Sequence, residues 1–379
     1  MIEIVEVTRP GSSAGRDFVS FPFELYANSP YWVPPFKKGI RKIIAKHHPM
    51  FDHADGMFFT AYDGGRAVGR IGIIENEMST ESQELRTANF SLFDCVENDD
   101  AAAALFEAAE EWARQRGVNE IVGPRFSSGT YGLGVLIEGF EHRAAMTMSG
   151  YNYPYYGRLI ERAGYSKKRD YVSATIDAKT FRMPDRITRI AAVTEKRGHF
   201  QVLKFSSKRD LKKMAGPIGE MHNQTLGQAN GVNHLTEREV NALRKDLLAI
   251  ADPALIKILT YDAKVVGFLF TFHDVSAALQ KGTGRISPLS ILRLMREAKK
   301  TKDLVVNGIG ILPEYQGLGG NALLYKELGR TVRESVEDAR NAELVQVAET
   351  TWLMMSDLEN LGARVYKKHR MYEKQLQTP

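Results

Sequence analysis

Apolar and polar positions alternate at the start of the chain, Ile2-Glu3-Ile4-Val5-Glu6, and this period of two predicts a first strand. The acids inside the run argue against a signal peptide. Two longer stretches carry the same alternation around a turn. Residues 60–72 read Thr-Ala-Tyr-Asp-Gly-Gly-Arg-Ala-Val-Gly-Arg-Ile-Gly, and 258–269 read Ile-Leu-Thr-Tyr-Asp-Ala-Lys-Val-Val-Gly-Phe-Leu. Each predicts a hairpin, with Tyr-Asp at the turn and Val-Gly opening the return strand. The segments after the two hairpins run in parallel as well. The first half offers a strand at 89–96, a helix over 101–116 capped by Asp99 or Asp100 and ended by Gly117, and a strand at 118–122. The second offers a strand at 303–311, a helix over 317–334 and a strand at 343–347. Each half closes with a short helix, 155–163 before Gly164 and 356–361 before Gly362, and then a final strand pair.

This predicts a tandem repeat of one α/β unit with a mixed sheet, divided near 178–184 into domains 1–180 and 181–379. Two segments stand outside the repeat. Residues 36–46 are basic and carry Phe36, Ile40, Ile43 and Ile44 at helical spacing. Residues 275–302 insert between two strands and hold Lys281, Arg285, Arg293, Arg296, Lys299, Lys300 and Lys302 among Ile286, Leu289, Ile291, Leu292, Leu294 and Met295. Residues 36–46 and, within the insert, 284–302 are expected at the headgroup boundary of an anionic membrane, with packed surface helices as the alternative.

Composition narrows the class. At 379 residues, 43% hydrophobic and 26% charged, the chain is globular and long enough for two cores. A single cysteine excludes an internal disulfide framework and a cysteine-rich zinc site. No apolar run approaches the roughly 20 residues of a membrane-spanning helix. The expectation is a cytoplasmic protein, peripheral at the inner face of the membrane. The net charge of +5 favours anionic partners such as phosphates, coenzyme A, anionic lipid or RNA without choosing among them.

The sharpest chemical signal is Gly308-Ile309-Gly310-Ile311-Leu312-Pro313-Glu314-Tyr315-Gln316-Gly317-Leu318-Gly319-Gly320-Asn321. An apolar strand runs into a glycine-rich turn that opens a helix, so backbone amides and the helix dipole converge on one spot suited to a pyrophosphate. Gly319 and Gly320 would let phosphates approach without a Cβ in the way. No Gly-Lys-Ser/Thr comes after it, and the spacing is not the dinucleotide fingerprint. The segment resembles the coenzyme A loop of the GCN5-related N-acetyltransferase (GNAT) superfamily, a strand followed by Gln/Arg-x-x-Gly-x-Gly/Ala. Gln316 and Gly319 match, whereas Asn321 replaces the last Gly/Ala. The resemblance implies two tandem GNAT-like acyl-CoA N-acyltransferase domains, with acyl-CoA as co-substrate, no metal, and Ile311, Leu312, Gln316, Gly317, Leu318, Gly319, Gly320 and Asn321 holding it.

The first half resembles a second GNAT unit without its loop, since Glu97-Asn98-Asp99-Asp100 stands where phosphate would sit. Tyr31-Trp32-Val33-Pro34-Pro35 and Asn152-Tyr153-Pro154-Tyr155-Tyr156 resemble a bacterial group of double-GNAT acyltransferases, some of which resemble bacterial ceramide synthases acylating a long-chain amino alcohol. Tyr151, Tyr153, Tyr155 and Tyr156 are expected either to line an acceptor cleft or to pack a domain interface. The insert 275–302 is expected to form a lid over the thioester.

Amide formation needs a neutral amine and a polarised thioester carbonyl. Glu349, ending a strand on the same face as Val345 and Val347, is the expected base or else a solvated acid. Tyr366 is the weaker acid or a packing tyrosine, and the helix position that carries a tyrosine in many GNAT enzymes is Leu358. The backbone at Ile311 and Leu312 would hold the carbonyl. His222, His234 and His273 read more readily as surface or core histidines than as catalysts, and their spacing suggests no metal site. An acyl-CoA-dependent N-acyltransferase leads. An aminoacyl-tRNA-dependent transferase and a non-enzymatic acyl-CoA sensor are the alternatives.

Overall fold

The computed structural model describes residues 1–76, 86–126, 132–214, 216–217, 219–221, 235–336 and 338–376. The first half contains β1 (Ile2–Glu6), α1 (Ser13–Leu25), α2 (Lys37–Ile44), β2 (Ala54–Asp63), β3 (Arg66–Asn76), β4 (Thr87–Cys95), α3 (Asp99–Arg114), β5 (Glu120–Gly123), β6 (Val135–Glu138), α4 (Tyr156–Arg162) and β7 (Ser166–Asp177). The second contains α5 (Asp185–Arg197), β8 (Phe200–Leu203), α6 (Lys208–Lys213), α7 (Glu237–Ile250), β9 (Ile256–Tyr261), β10 (Lys264–His273), α8 (Ser276–Gly282), α9 (Pro288–Lys300), β11 (Asp303–Ile311), α10 (Gly320–Ser335), β12 (Asn341–Ala348), α11 (Trp352–Asn360) and β13 (Arg364–Gln375).

Both expected hairpins form. Gly64 and Gly65 take positive φ between β2 and β3, and Asp262 and Ala263 do so between β9 and β10, the left-handed pair that a two-residue hairpin turn demands. Helix α3 is capped by Asn98, whose Oδ1 accepts from the Ala101 amide at 3.0 Å; Asp99 and Asp100 occupy its first turn, where their charge favours the dipole.

The strands join one sheet in the order β1-β2-β3-β4-β5-β13-β7-β12-β11-β10-β9-β8, with β6 beside β13. Exchanging the halves maps this order onto its reverse, so the repeat is visible in the topology. The expected final strand pair within each half does not occur. Each half has a single strand after its short helix, and that strand finds its neighbours across the halves: β13 pairs with β5 and β7, while β7 pairs with β12. The cores interlock accordingly. Tyr372 and Leu376 lie in the first-half core with Phe90, Phe106 and Trp112, and Ala145 and Met146 lie in the second-half core with Phe268, Val305 and Leu323. Among the described residues no helix is long and apolar enough to cross a membrane.

Candidate active site

The two parallel strands β11 and β12 pair only from Asp303↔Asn341 to Val306↔Leu344. Beyond that point β11 stays with β10 (Leu269↔Ile309, Gly267↔Ile311) and β12 stays with β7 (Val347↔Val172, Ala348↔Tyr171). The strands therefore splay, and irregularities on both sides cause it. Gly308 has φ 104° where the β10 register shifts, and Gln346 has φ 54° where the β7 register shifts. Gln346 is held in this conformation by reciprocal bonds of its side-chain amide with the backbone of Leu133, both 2.7 Å. The bulge also reverses the alternation of β12. Val345 faces the second-half core, whereas Val347 joins Leu344 against α11, so Val345 and Val347 do not share a face as the sequence pattern implied.

The open side of β11 ends in the glycine-rich loop. Gln316 Nε2 donates to the Ile311 carbonyl at 2.8 Å and closes it over a 3₁₀ turn at Pro313–Tyr315. Gly317 and Gly319 have φ 73° and 95°, and Gly319 caps α10. Among the described residues the amides of 317–321 meet no acceptor, and Gln316, Gly317 and Leu318 are exposed. This is a solvent-facing cluster of donors at the positive end of a 16-residue helix. The glycines divide their work differently from expectation. A Cβ at Gly319 would stand 2.2 Å from Thr194 Oγ1 of α5, and one at Gly320 would stand 2.6 Å from Leu259, so these two permit helix packing. Gly317 is the glycine whose Cβ direction is open. Asn321 points to α11, where its Nδ2 and the Tyr325 hydroxyl (2.7 Å) both bond Asp357. Leu312 is buried and its amide donates to Val266 on β10, at 2.9 Å. That donor is committed, contrary to expectation; by strand alternation the neighbouring Ile311 amide turns to the open side.

The corresponding turn of the first half is filled by its own side chains. Glu97 and Asp99 pair with Arg158, at 3.0 and 2.6 Å, and Asp99 also pairs with Arg162. The hydroxyls of Tyr155 and Tyr156 bond the carbonyl and amide of Cys95, at 2.9 and 3.2 Å. Tyr26 stacks with Trp32 and meets Tyr151 and Tyr153 ring to ring, and Tyr153 stacks on Tyr155. The four tyrosines expected at a cleft or an interface thus pack inside the first half, because α4 packs on α3 and its Tyr156 hydroxyl accepts from Tyr26 at the end of α1.

Glu349 and Tyr366 are not brought together. Glu349 lies level with Asp170, whose amide donates to its Oε1 at 3.0 Å, and Lys167 pairs with it at 2.9 Å. The Lys167 ammonium holds this carboxyl below the usual range. Tyr366 lies between the Ala174 and Ser173 levels on the other side of β7, offset by roughly 12 Å along the strand at one strand rise per residue. Burial and the Glu343 charge push its hydroxyl well up. Glu349 shares the loop's end of the sheet. Tyr366 lines a cavity of about 670 Å³ at the other end, with Arg143, Asp274, Asp303, Arg340 and Glu343. Sequence reading missed Glu343 and Lys367, buried partners 2.7 Å apart, because β13 is a largely polar strand in which nothing marks Lys367 as inward. His273 bonds Asp252 at 3.1 Å, while His222 and His234 lie outside the described residues. Among the described residues no three His, Cys, Asp or Glu gather as metal ligands.

No family model matches the chain. It is 27% identical over 383 residues to a bacterial ceramide synthase of Caulobacter vibrioides (strain NA1000 / CB15N), covering 99% of this chain and 98% of the relative. It is 24% identical over 376 residues to the protein YghO of Escherichia coli (strain K12), covering 95% and 93%. A tandem GNAT protein from the clavulanic acid biosynthesis pathway superposes with a TM-score of 0.56 at 12% identity, over 99% of this chain and 98% of that one. Strand order, splayed parallel pair and superposition agree: the chain has the tandem GNAT fold.

Proposed function

We propose that the chain is an acyl-CoA-dependent N-acyltransferase acting on a long-chain amino alcohol such as a sphingoid base. The observation that carries this reading is the splay of β11 from β12 running into the unpaired amides of 317–321 at the start of α10. A thioester laid along the open edge of β11 would present its pyrophosphate to Gln316, Gly317, Leu318 and the first turn of α10, and its carbonyl to the Ile311 amide. The amine attacks that carbonyl, the new C–N bond replaces the C–S bond, and the thiolate leaves with the proton the amine loses. Glu349, at the loop's end of β12, is the proposed base, directly or through water; Tyr366, at the other end of the sheet, is assigned no step. The first half, with its turn filled, shapes the acceptor side and binds no coenzyme A.

The relative named bacterial ceramide synthase supports the lipid acceptor. The test compares kcat/KM for a long-chain acyl-CoA with a sphingoid base and for acetyl-CoA with spermidine, by thiol release and product mass. Each buried methylene contributes about 0.8 kcal/mol, so the long-chain pair is expected to win by orders of magnitude. Preference for acetyl-CoA with spermidine would overturn the lipid acceptor, and no thiol release with any amine would overturn the enzyme. Glu349→Gln should lower kcat without weakening coenzyme A binding, whereas Tyr366→Phe should leave kcat close to the wild-type value.

A further inference from the structure

The two basic segments that interrupt the repeat are far apart in sequence but adjacent in the fold. The turn between α8 and α9 lies on the first half so closely that a Cβ at Gly284 would stand 2.4 Å from the Phe23 ring. The Gly284 carbonyl accepts the Lys37 amide at 2.9 Å, and Gln280 Nε2 bonds the carbonyls of Pro30 and Trp32. Arg285 thereby comes close enough to Lys37 to help burial lower its ammonium pKa. In α2 the aliphatic residues Ile40, Ile43 and Ile44 are buried in the first-half core, so this helix presents only its cations, Lys38, Arg41 and Lys42, outward. Helix α9 is the reverse case. Of its residues only Ser290 is buried, while Leu289 (55%), Leu292 (43%) and Met295 (58%) stand exposed at a spacing of three, with Ile286 and Ile291 exposed beside them. Residues 281–302 hold seven cations and one acid. Among the described residues, only Lys302 of those seven is ion-paired, with Asp338.

We infer that the outer face of α9, with the cationic flank of α2, is an interfacial docking surface for an anionic lipid bilayer. The apolar stripe enters the headgroup boundary while Arg293, Arg296, Lys299 and Lys300 meet lipid phosphates beside it. Charge selects this occupant. A second copy of the chain would set the same cations against each other, and a nucleic acid would leave Leu289, Leu292 and Met295 against phosphates. The inference does not rest on the acyltransfer reading, since docking is measured without substrate.

The test is co-sedimentation of the full chain with phosphatidylglycerol-containing vesicles and with pure phosphatidylcholine vesicles. Binding is expected to the anionic vesicles alone and is weakened by salt. The double variant Arg293→Ser/Arg296→Ser should lose about fivefold in partitioning per cation removed. The triple variant Leu289→Glu/Leu292→Glu/Met295→Glu should abolish binding with unchanged circular dichroism; should it fail to fold, the arginine variant carries the test. Three results would overturn the inference: no binding of the wild-type chain at low salt, equal binding to both vesicles, or variants that change the oligomeric state while vesicle binding stays as before.

Discussion

Gly317 and Gly319 are two residues apart, both with positive φ, yet they answer to different constraints. Gly319 is fixed by Thr194, so Gly319→Asp should lower the melting temperature through a backbone shift, and any loss of coenzyme A binding would result from that. Gly317 faces open space, so a side chain there meets only what the loop binds. Asn and Asp tolerate its left-handed backbone about equally, which isolates charge. Gly317→Asp is expected to lose coenzyme A affinity by calorimetry while Gly317→Asn largely keeps it; equal effects would remove the anion from the loop. His369 gives a second residue-level expectation. Its Nε2 bonds the Gly150 carbonyl at 3.0 Å, and complete burial pushes its pKa down to about 4 from 6.5. The unfolded chain takes up this proton below about pH 6.5 and the folded chain only near 4. Acidification across that window therefore favours unfolding by up to about 3 kcal/mol. In the folded protein the ring should remain neutral at pH 5 by NMR, and a midpoint near 6.5 would contradict its burial.

At the scale of elements, β13 is secured by a buried charge pair. Lys367 is fully buried, 2.7 Å from Glu343 on β12, with its ammonium also donating to the Arg143 carbonyl at 3.0 Å. Removing one partner leaves the other charge uncompensated, so Glu343→Gln should cost about 3 kcal/mol by urea unfolding. Glu343→Leu/Lys367→Met, which removes both charges, should recover most of that. Failure of the double variant to recover would assign the loss to packing. The reversal of face at Gln346 belongs to this scale too. Alternation along 341–348 placed every side chain correctly up to the bulge and inverted those after it. The bulge depends on Leu133, a residue 213 positions away in sequence.

For the whole molecule the decisive feature is the exchange of β7 and β13. Without β13, β5 becomes an open edge and the first-half core loses Tyr372 and Leu376; without β7, β12 is left open in the same way. An unpaired edge strand is an aggregation site. We therefore expect chains 1–180 and 181–379 to be misfolded when expressed separately and to form a folded one-to-one complex when co-expressed, by size exclusion and circular dichroism. Independent folding of either chain would show that the exchange is dispensable.

Local patterns determined most elements of this protein and the outline of its loop. The hairpin at Asp63-Gly64-Gly65, the apolar strand at 303–311 and the Gly-rich opening of α10 are all decided within a few residues, by turn conformation, pleat and helix ends. Tertiary structure decided what those patterns face. Gly319 and Gly317 look alike until Thr194 is placed beside one of them. The aliphatics of α2 and α9 share a helical spacing, but a core covers the first set and leaves the second in solvent. Glu349 and Tyr366 lie 17 positions apart on successive strands yet at opposite ends of the sheet, because β12 and β13 run in the same direction on the two sides of β7, the first ending next to Glu349 and the second beginning near Tyr366. Contacts of this kind depend on residues hundreds of positions apart and on which strand occupies the centre of the sheet, and no local spacing in the chain encodes either.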